Sequence, residues 1–259
     1  IASSVSAKVS PEKAAEIGKS LTPIGAEMAA NASGSIPAWT GGLTSKNTTK
    51  NADSGRPADP YADDKVLFEI TNANLDKYKA NLSPGQIAMF KKYSDYKMPV
   101  YPTKRSAAYP DELYPKIKSN ATSAELIQSG NGVINFDTSI PFPIAESALE
   151  VVWNHITRFR GGAALRTASA IPVLSDGGFV AVKMTDTLVW PEFLKGGRDA
   201  KKDDNVLFYY LQRITAPARL TGTALLVHET IDQVQEARRA WVYNSGQRRV
   251  RRAPNVAYD

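Results

Sequence analysis

Hydrophobic and polar positions change their period once along the chain, near Gly162. Before that point the spacing is helical. Leu149, Val152, Trp153, Ile156 and Phe159 recur at three and four residues, a single stripe that predicts a helix over 145–160, stopped by Gly161-Gly162. Ser83-Pro84-Gly85-Gln86 reads as a capping box opening a helix through Ala88, Met89, Phe90 and Tyr93. Ser10-Pro11 opens a shorter one carrying Ala14, Ala15 and Ile17 ahead of Gly18. Further short helices are expected over 72–80, over 111–119 and around Ala124. From Leu21 to Asp64 the chain is rich in Gly, Pro, Asn, Ser and Thr, and we read an extended arm anchored by Trp39. This gives two parts: a helix and arm over 1–64, and helices with a sheet over 65–259.

After Gly162 the period becomes that of a strand. Six runs rich in Val, Thr, Tyr, Leu and Phe follow, over 163–174, 179–190, 206–216, 219–231, 236–244 and 248–253. Asp176-Gly177-Gly178 and Ser245-Gly246 are hairpin turns, and the short connections make neighbours antiparallel, with one long polar loop over 195–205. Val180, Val182, Met184, Leu188 and Trp190 alternate with Ala181, Lys183, Thr185 and Thr187, so one face is apolar and one wet. The helix over 145–160, with the N-terminal helices, is expected to cover the apolar face. The fold class is α+β: a curved, unclosed antiparallel sheet under helices, with an extended N-terminal arm. The final run leaves an unpaired edge, so either another segment pairs there or the chain is a fragment.

Composition changes this picture little. Charged residues are 22% and hydrophobic ones 42%, as in ordinary folded proteins. No apolar run approaches the roughly 20 residues needed to cross a bilayer as a helix. Val5-Ser6-Ala7 resembles the small-residue end of a secretory signal, although a chain boundary of another kind fits as well. Cysteine is absent, which excludes disulfides, thiolate-bound metals and a thiol nucleophile. The formal net charge of +6 admits anionic partners, and general solubility explains it too.

Chemistry is sparse. The two histidines, His155 and His228, have no metal-ligand spacing around them, and no Gly-x-Ser-x-Gly elbow occurs. Gly18-Lys19-Ser20 lacks the first glycine and the preceding strand of a P-loop. These patterns argue against an enzyme and call for no cofactor and no metal. Asp199, Asp203 and Asp204, with Arg198, Lys201 and Lys202, read as a solvated loop. Arg238, Arg239, Arg248, Arg249, Arg251 and Arg252 form the densest charge cluster, on a hairpin. Two readings stand for it: pairing with acids of neighbouring strands, or contact with phosphate headgroups, a membrane surface or an acidic partner. Nucleic acid fits less well, because the nearby Trp241 and Tyr243 follow an apolar strand pattern.

Several stretches carry a family resemblance. They are Leu21-Thr22-Pro23-Ile24-Gly25-Ala26-Glu27, the segment 34–42 around Trp39, Pro141-Phe142-Pro143, Val152-Trp153-Asn154-His155 with Arg158-Phe159-Arg160-Gly161, and the segments 241–244 and 246–254. Together they resemble a family of bacterial exported proteins of unknown function grouped with the lipoprotein-sorting proteins of LolA and LolB type. The resemblance implies an unclosed β-barrel with a hydrophobic cavity under helices, a periplasmic location, a chain longer than this one, and hence a half-barrel lacking its C-terminal part. It leads us to expect a carrier of a lipid or acyl-like ligand, and the apolar alternation of the elements would line it with Trp153, Val182, Leu207, Tyr209, Leu225 and Trp241. The second expectation is a docking subunit of an envelope transport complex, contacting a transporter or outer-membrane protein, with at most peripheral membrane contact.

Overall fold

A computed structural model describes residues 9–50, 57–199 and 204–253. In chain order the helices are α1 (Pro11–Ala15), α2 (Leu75–Tyr78), α3 (Pro84–Lys92), α4 (Tyr114–Ser123) and α5 (Ala148–Thr157). The strands are β1 (Phe68–Thr71), β2 (Lys97–Val100), β3 (Glu125–Ile127), β4 (Gly132–Ile134), β5 (Ala163–Ala170), β6 (Val182–Val189), β7 (Val206–Ala216), β8 (Ala224–Thr230), β9 (Arg239–Asn244) and β10 (Arg249–Arg252). The chain divides into two units, Glu27–Pro110 and Ile1–Ala26 with Asp111–Asp259, so a boundary at residue 64 falls inside the first of these. Val5-Ser6-Ala7, Lys201, Lys202, Asp203 and the residues after Ala253 lie outside the described residues.

Within the unit 27–110, described residues before β1 form neither helix nor strand, as expected of an arm. Two side chains hold it. Trp39 Nε1–H donates to the Ala107 carbonyl at 2.9 Å, and the Arg105 guanidinium donates to the carbonyls of Glu27, Met28, Ala29 and Pro37. The β1–β2 pair and α3 then close over Ile70, Leu75 and Phe90. Ser83 makes the expected box, its hydroxyl accepting from Gln86 N at 3.2 Å while Gln86 Oε1 accepts from Ser83 N at 2.8 Å.

The other unit joins a small helical part to the large sheet. Gly25 packs bare against Pro143, whose carbonyl oxygen would lie 1.6 Å from any Cβ there, and its φ of +92° suits glycine alone. Helix α5 starts at a second capping box, Ser147 with Glu150. Ser147→Ala should cost about 1 kcal/mol, measured by urea denaturation. No helix is present at Ala124, which caps α4 and leads into β3.

The six-stranded sheet runs β10-β9-β8-β7-β6-β5, every neighbour antiparallel, with β5 and β10 as its edges among the described residues, so it is not closed. Its connections follow the expected turns. Two irregularities interrupt the register, one on each side of β7, the strand common to both pairs. Pairing partners share a face. Arg166, Asp186, Gln212, Leu225, Val242 and Arg251 form one row across the sheet, beside a second row of Ala164, Leu188, Tyr210, Val227 and Ala240. The opposite face carries Leu165, Thr187, Leu211, Leu226, Trp241 and Arg252, then Val189, Tyr209, His228 and Arg239.

The expected helical cover is corrected. Trp153, 4% exposed, packs in a cluster with Ala124, Val133 and Phe142, joined by Ile231 just beyond β8. Leu149, Val151 and Val152 of α5 stay about half exposed. Among the described residues none of the three hydrophobic clusters takes a member from the six strands, and most side chains on both faces of the sheet are at least partly exposed.

Candidate functional site

The face bearing Asp186 is the more apolar of the two, and a polar group sits in its middle. Strand β6 alternates Val182, Met184, Asp186 and Leu188 toward it, so a carboxylate occupies a position of apolar parity. That carboxylate is 0% exposed. Arg166 of β5 donates to its Oδ2 from Nε at 2.7 Å and from Nη2 at 2.6 Å. Its Oδ1 accepts from the Tyr210 hydroxyl at 3.1 Å and from Gln212 Nε2 at 3.3 Å. Arg166 and Gln212 come from the two neighbouring strands at the level of Asp186, and Tyr210 from the next level along β7, which is what antiparallel register provides. The hydrogen bond to Asp186 holds Arg166 above its ordinary pKa. Burial, and then the Asp186 charge, raise Tyr210. Burying a carboxylate is costly unless paired and hydrogen-bonded, and both of its oxygens are served here.

The expected ligand residues are not brought together. Val182 and Leu225 lie on the Asp186 face, whereas Tyr209 and Trp241 lie on the opposite one. Leu207 is buried at the β7 irregularity with no partner on β8, and Trp153 is a core residue of the helical part. Two clefts, of about 430 and 420 Å³, are lined by none of the six. The second is bordered by Lys116, Asp137, Phe159, Glu192 and Arg198. Burial raises Glu192 there, against the opposing pull of Thr138, Arg198 and Ser139, and the carboxylate ties the segment at Ser139 to the turn after β6.

The arginine hairpin separates in the same way. Arg238 is buried on Glu229, with Nε 2.6 Å from Oε2, and Arg239 lies 3.3 Å from Glu236. Arg238 is thus paired with an acid of the neighbouring strand, as one of the two readings had it, whereas the partner of Arg239 is local, three residues back in the turn before β9. Arg248 sits in the turn, Arg249 and Arg251 point to one face of the sheet and Arg252 to the other, all exposed.

His155 is exposed on α5. His228 stands between Tyr209 and Trp241, ring centroids 4.7 and 5.0 Å away. Burial first, then the Arg239 charge, lowers its pKa below the ordinary 6.5, with Glu236 opposing. The unfolded chain thus takes up a proton around the ordinary value of 6.5 that the folded chain refuses, so this contribution to stability is present above that value and is lost as pH falls below it. His228→Phe should flatten the fall in melting temperature between pH 7 and pH 5; an unchanged slope would contradict this. No three His, Asp or Glu among the described residues are placed to hold a metal ion. No helix among them is long and apolar enough to cross a membrane.

Sequence reading missed Asp186, Gln212 and Arg166. The available signal was a polar residue at apolar parity in each of three successive strands. No solved structure matches this chain. It is 52% identical over 260 residues to the uncharacterized protein PA3922 of Pseudomonas aeruginosa (strain PAO1), a match that takes in 100% of this chain and 57% of that protein's length. Residues 69–259 fit the model of a family described as protein of unknown function (DUF1329). With most of its length inside that model, and with that relative, the chain belongs to the DUF1329 family.

Proposed function

We propose that this chain is a periplasmic carrier module that holds a hydrophobic ligand, a lipid or acyl chain, on the Asp186 face of its sheet, in the manner of a LolA-type half-barrel. The observation that carries the reading is the apolar sheet face, of which Val227 and Ala240 are buried but on which no hydrophobic cluster of the described residues builds. Val182, Met184, Leu188, Leu225 and Val242 are half-buried there, which leaves apolar surface in water. Covering such surface is favourable by about 25 cal/mol per Å², and an acyl chain contributes about 0.8 kcal/mol per CH₂ buried. No catalytic group is needed for this. Calorimetric titration with a lysophospholipid should show saturable binding of one molecule per chain, weakened by Leu225→Ser on this face and unchanged by Leu226→Ser on the other. Absence of saturable binding would overturn the reading.

A docking subunit of an envelope transport complex is the second reading. It is favoured by the apolar end of the β5–β6 hairpin, where Val173 and Phe179 are 71% and 64% exposed. Lysophospholipid binding insensitive to every substitution on the Asp186 face would favour it.

A further inference from the structure

We infer that Arg166 is an anchor for an oxyanion, and that the ligand of this face is an amphiphile with a carboxylate or phosphate head rather than a neutral lipid. This rests on the carrier reading. A guanidinium offers five N–H donors in a fixed plane, with a side edge made by Nε and Nη2 and an end edge made by Nη1 and Nη2. Here the side edge is spent on Asp186. The Tyr210 hydroxyl is a further neighbour of the guanidinium, and the end edge keeps the geometry that grips a carboxylate or phosphate through two parallel hydrogen bonds. Its surroundings keep it open. Arg166 stands on edge strand β5 among Ala164, Thr167, Ala168, Ser169 and Ala170, side chains too short to cover it, and its own side chain is 61% exposed.

Asp186 does not compete for the incoming anion's place. Its two oxygens already accept from Arg166, Tyr210 and Gln212, and it lies beneath the guanidinium with no exposed surface. Its effect is to fix the direction of the fork. The Tyr210 hydroxyl, close to the same guanidinium, is a further polar group at this point. Glu229, the other acid on this face, is bonded to Arg238 two strands beyond β6. From Arg166 the apolar side chains of Leu188 and Met184, on either side of Asp186, and then of Leu225 and Val242, in its own row, lead across the sheet, so the head would bind at the β5 edge with its chain laid over β6 to β9. Arg213 and Arg252 belong to the opposite face.

The test titrates the full chain, below micellar concentrations, with laurate, dodecyl phosphate and the neutral monolaurin, and with acetate and inorganic phosphate as heads without chains. The fork should make the two anionic amphiphiles bind at least about tenfold tighter than monolaurin, as expected of charge-assisted hydrogen bonds. Arg166→Gln should erase that difference and leave monolaurin binding unchanged. Arg166→Lys keeps a charge against buried Asp186 if the first variant does not fold, and should lose most of the difference because ammonium lacks the fork. Equal affinity for anionic and neutral amphiphiles, or laurate binding untouched by both substitutions, overturns the anchor and leaves the carrier standing. Failure of all three amphiphiles, monolaurin included, overturns the carrier. Acetate or phosphate binding as tightly as the amphiphiles would overturn the amphiphile head in favour of a small free oxyanion.

Discussion

Trp153→Ala should lower the free energy of unfolding by about 3–5 kcal/mol, the range for emptying a large aromatic site in a packed core. The indole is 4% exposed, packs with Val133 and Phe142, and donates Nε1–H to the Gly130 carbonyl at 2.9 Å. Its loss leaves both a cavity and an unpaired carbonyl in the corner where α5 meets the β3–β4 hairpin. Urea denaturation followed by circular dichroism measures the effect. Trp153→Phe retains most of the apolar body and should lose about 1–2 kcal/mol. Neither substitution should change lysophospholipid binding by the folded fraction, because Trp153 lies away from the sheet faces. A loss of binding in stable Trp153→Phe would return this residue to the ligand site.

Arg238→Ala should be comparably severe, at about 3–5 kcal/mol, because it leaves the buried Glu229 carboxylate without its guanidinium. The two side chains are only 15% and 3% exposed, so water does little to replace the lost partner. Replacing both with Met and Leu should recover much of the loss, since packed apolar residues often match a buried pair. Arg251→Ala is the contrast. That side chain is exposed on the edge strand, and its removal should stay within about 0.5 kcal/mol. Denaturant midpoints for the four proteins distinguish the cases. Equal losses for Arg238 and Arg251 would contradict the division of the hairpin into a paired part and an open part.

The order and direction of the large sheet were legible because its longer strands show their period and the turns, apart from the long loop between β6 and β7, are short enough to force an antiparallel neighbour. Strand β7 was read with its observed ends, and β5, β6 and β8 to β10 within longer runs. The small pairs were not legible. Strands β3 and β4 have three residues each, too few to establish alternation, and Pro99 inside β2 argued against a strand there. Ala124 read as helical because it is a helix former, yet it ends α4 with an extended conformation.

At the candidate site the limit was register. Alternation along β6 placed Val182, Met184 and Leu188 together correctly, but which residues of β7, β8 and β9 join them depends on pairing offsets that no single strand contains. An irregularity at Val206/Phe208 removed Leu207 from the count, and Leu225 separated from Trp241 because their strands pair Leu225 with Val242. Trp153 followed the helical stripe as read. Its destination, the β3–β4 hairpin rather than the large sheet, was hidden with the hairpin itself.

The central claim is that the Asp186 face of the sheet holds an apolar chain with an anionic head. Native mass spectrometry of the purified chain, before and after a denaturing extraction that strips bound lipid, addresses it most directly. We expect one adduct of amphiphile mass per chain, carrying a carboxylate or phosphate, lost on extraction and restored by laurate, with Arg166→Gln taking up laurate no more readily than monolaurin. A chain that purifies empty and takes up neither laurate nor monolaurin would contradict the account.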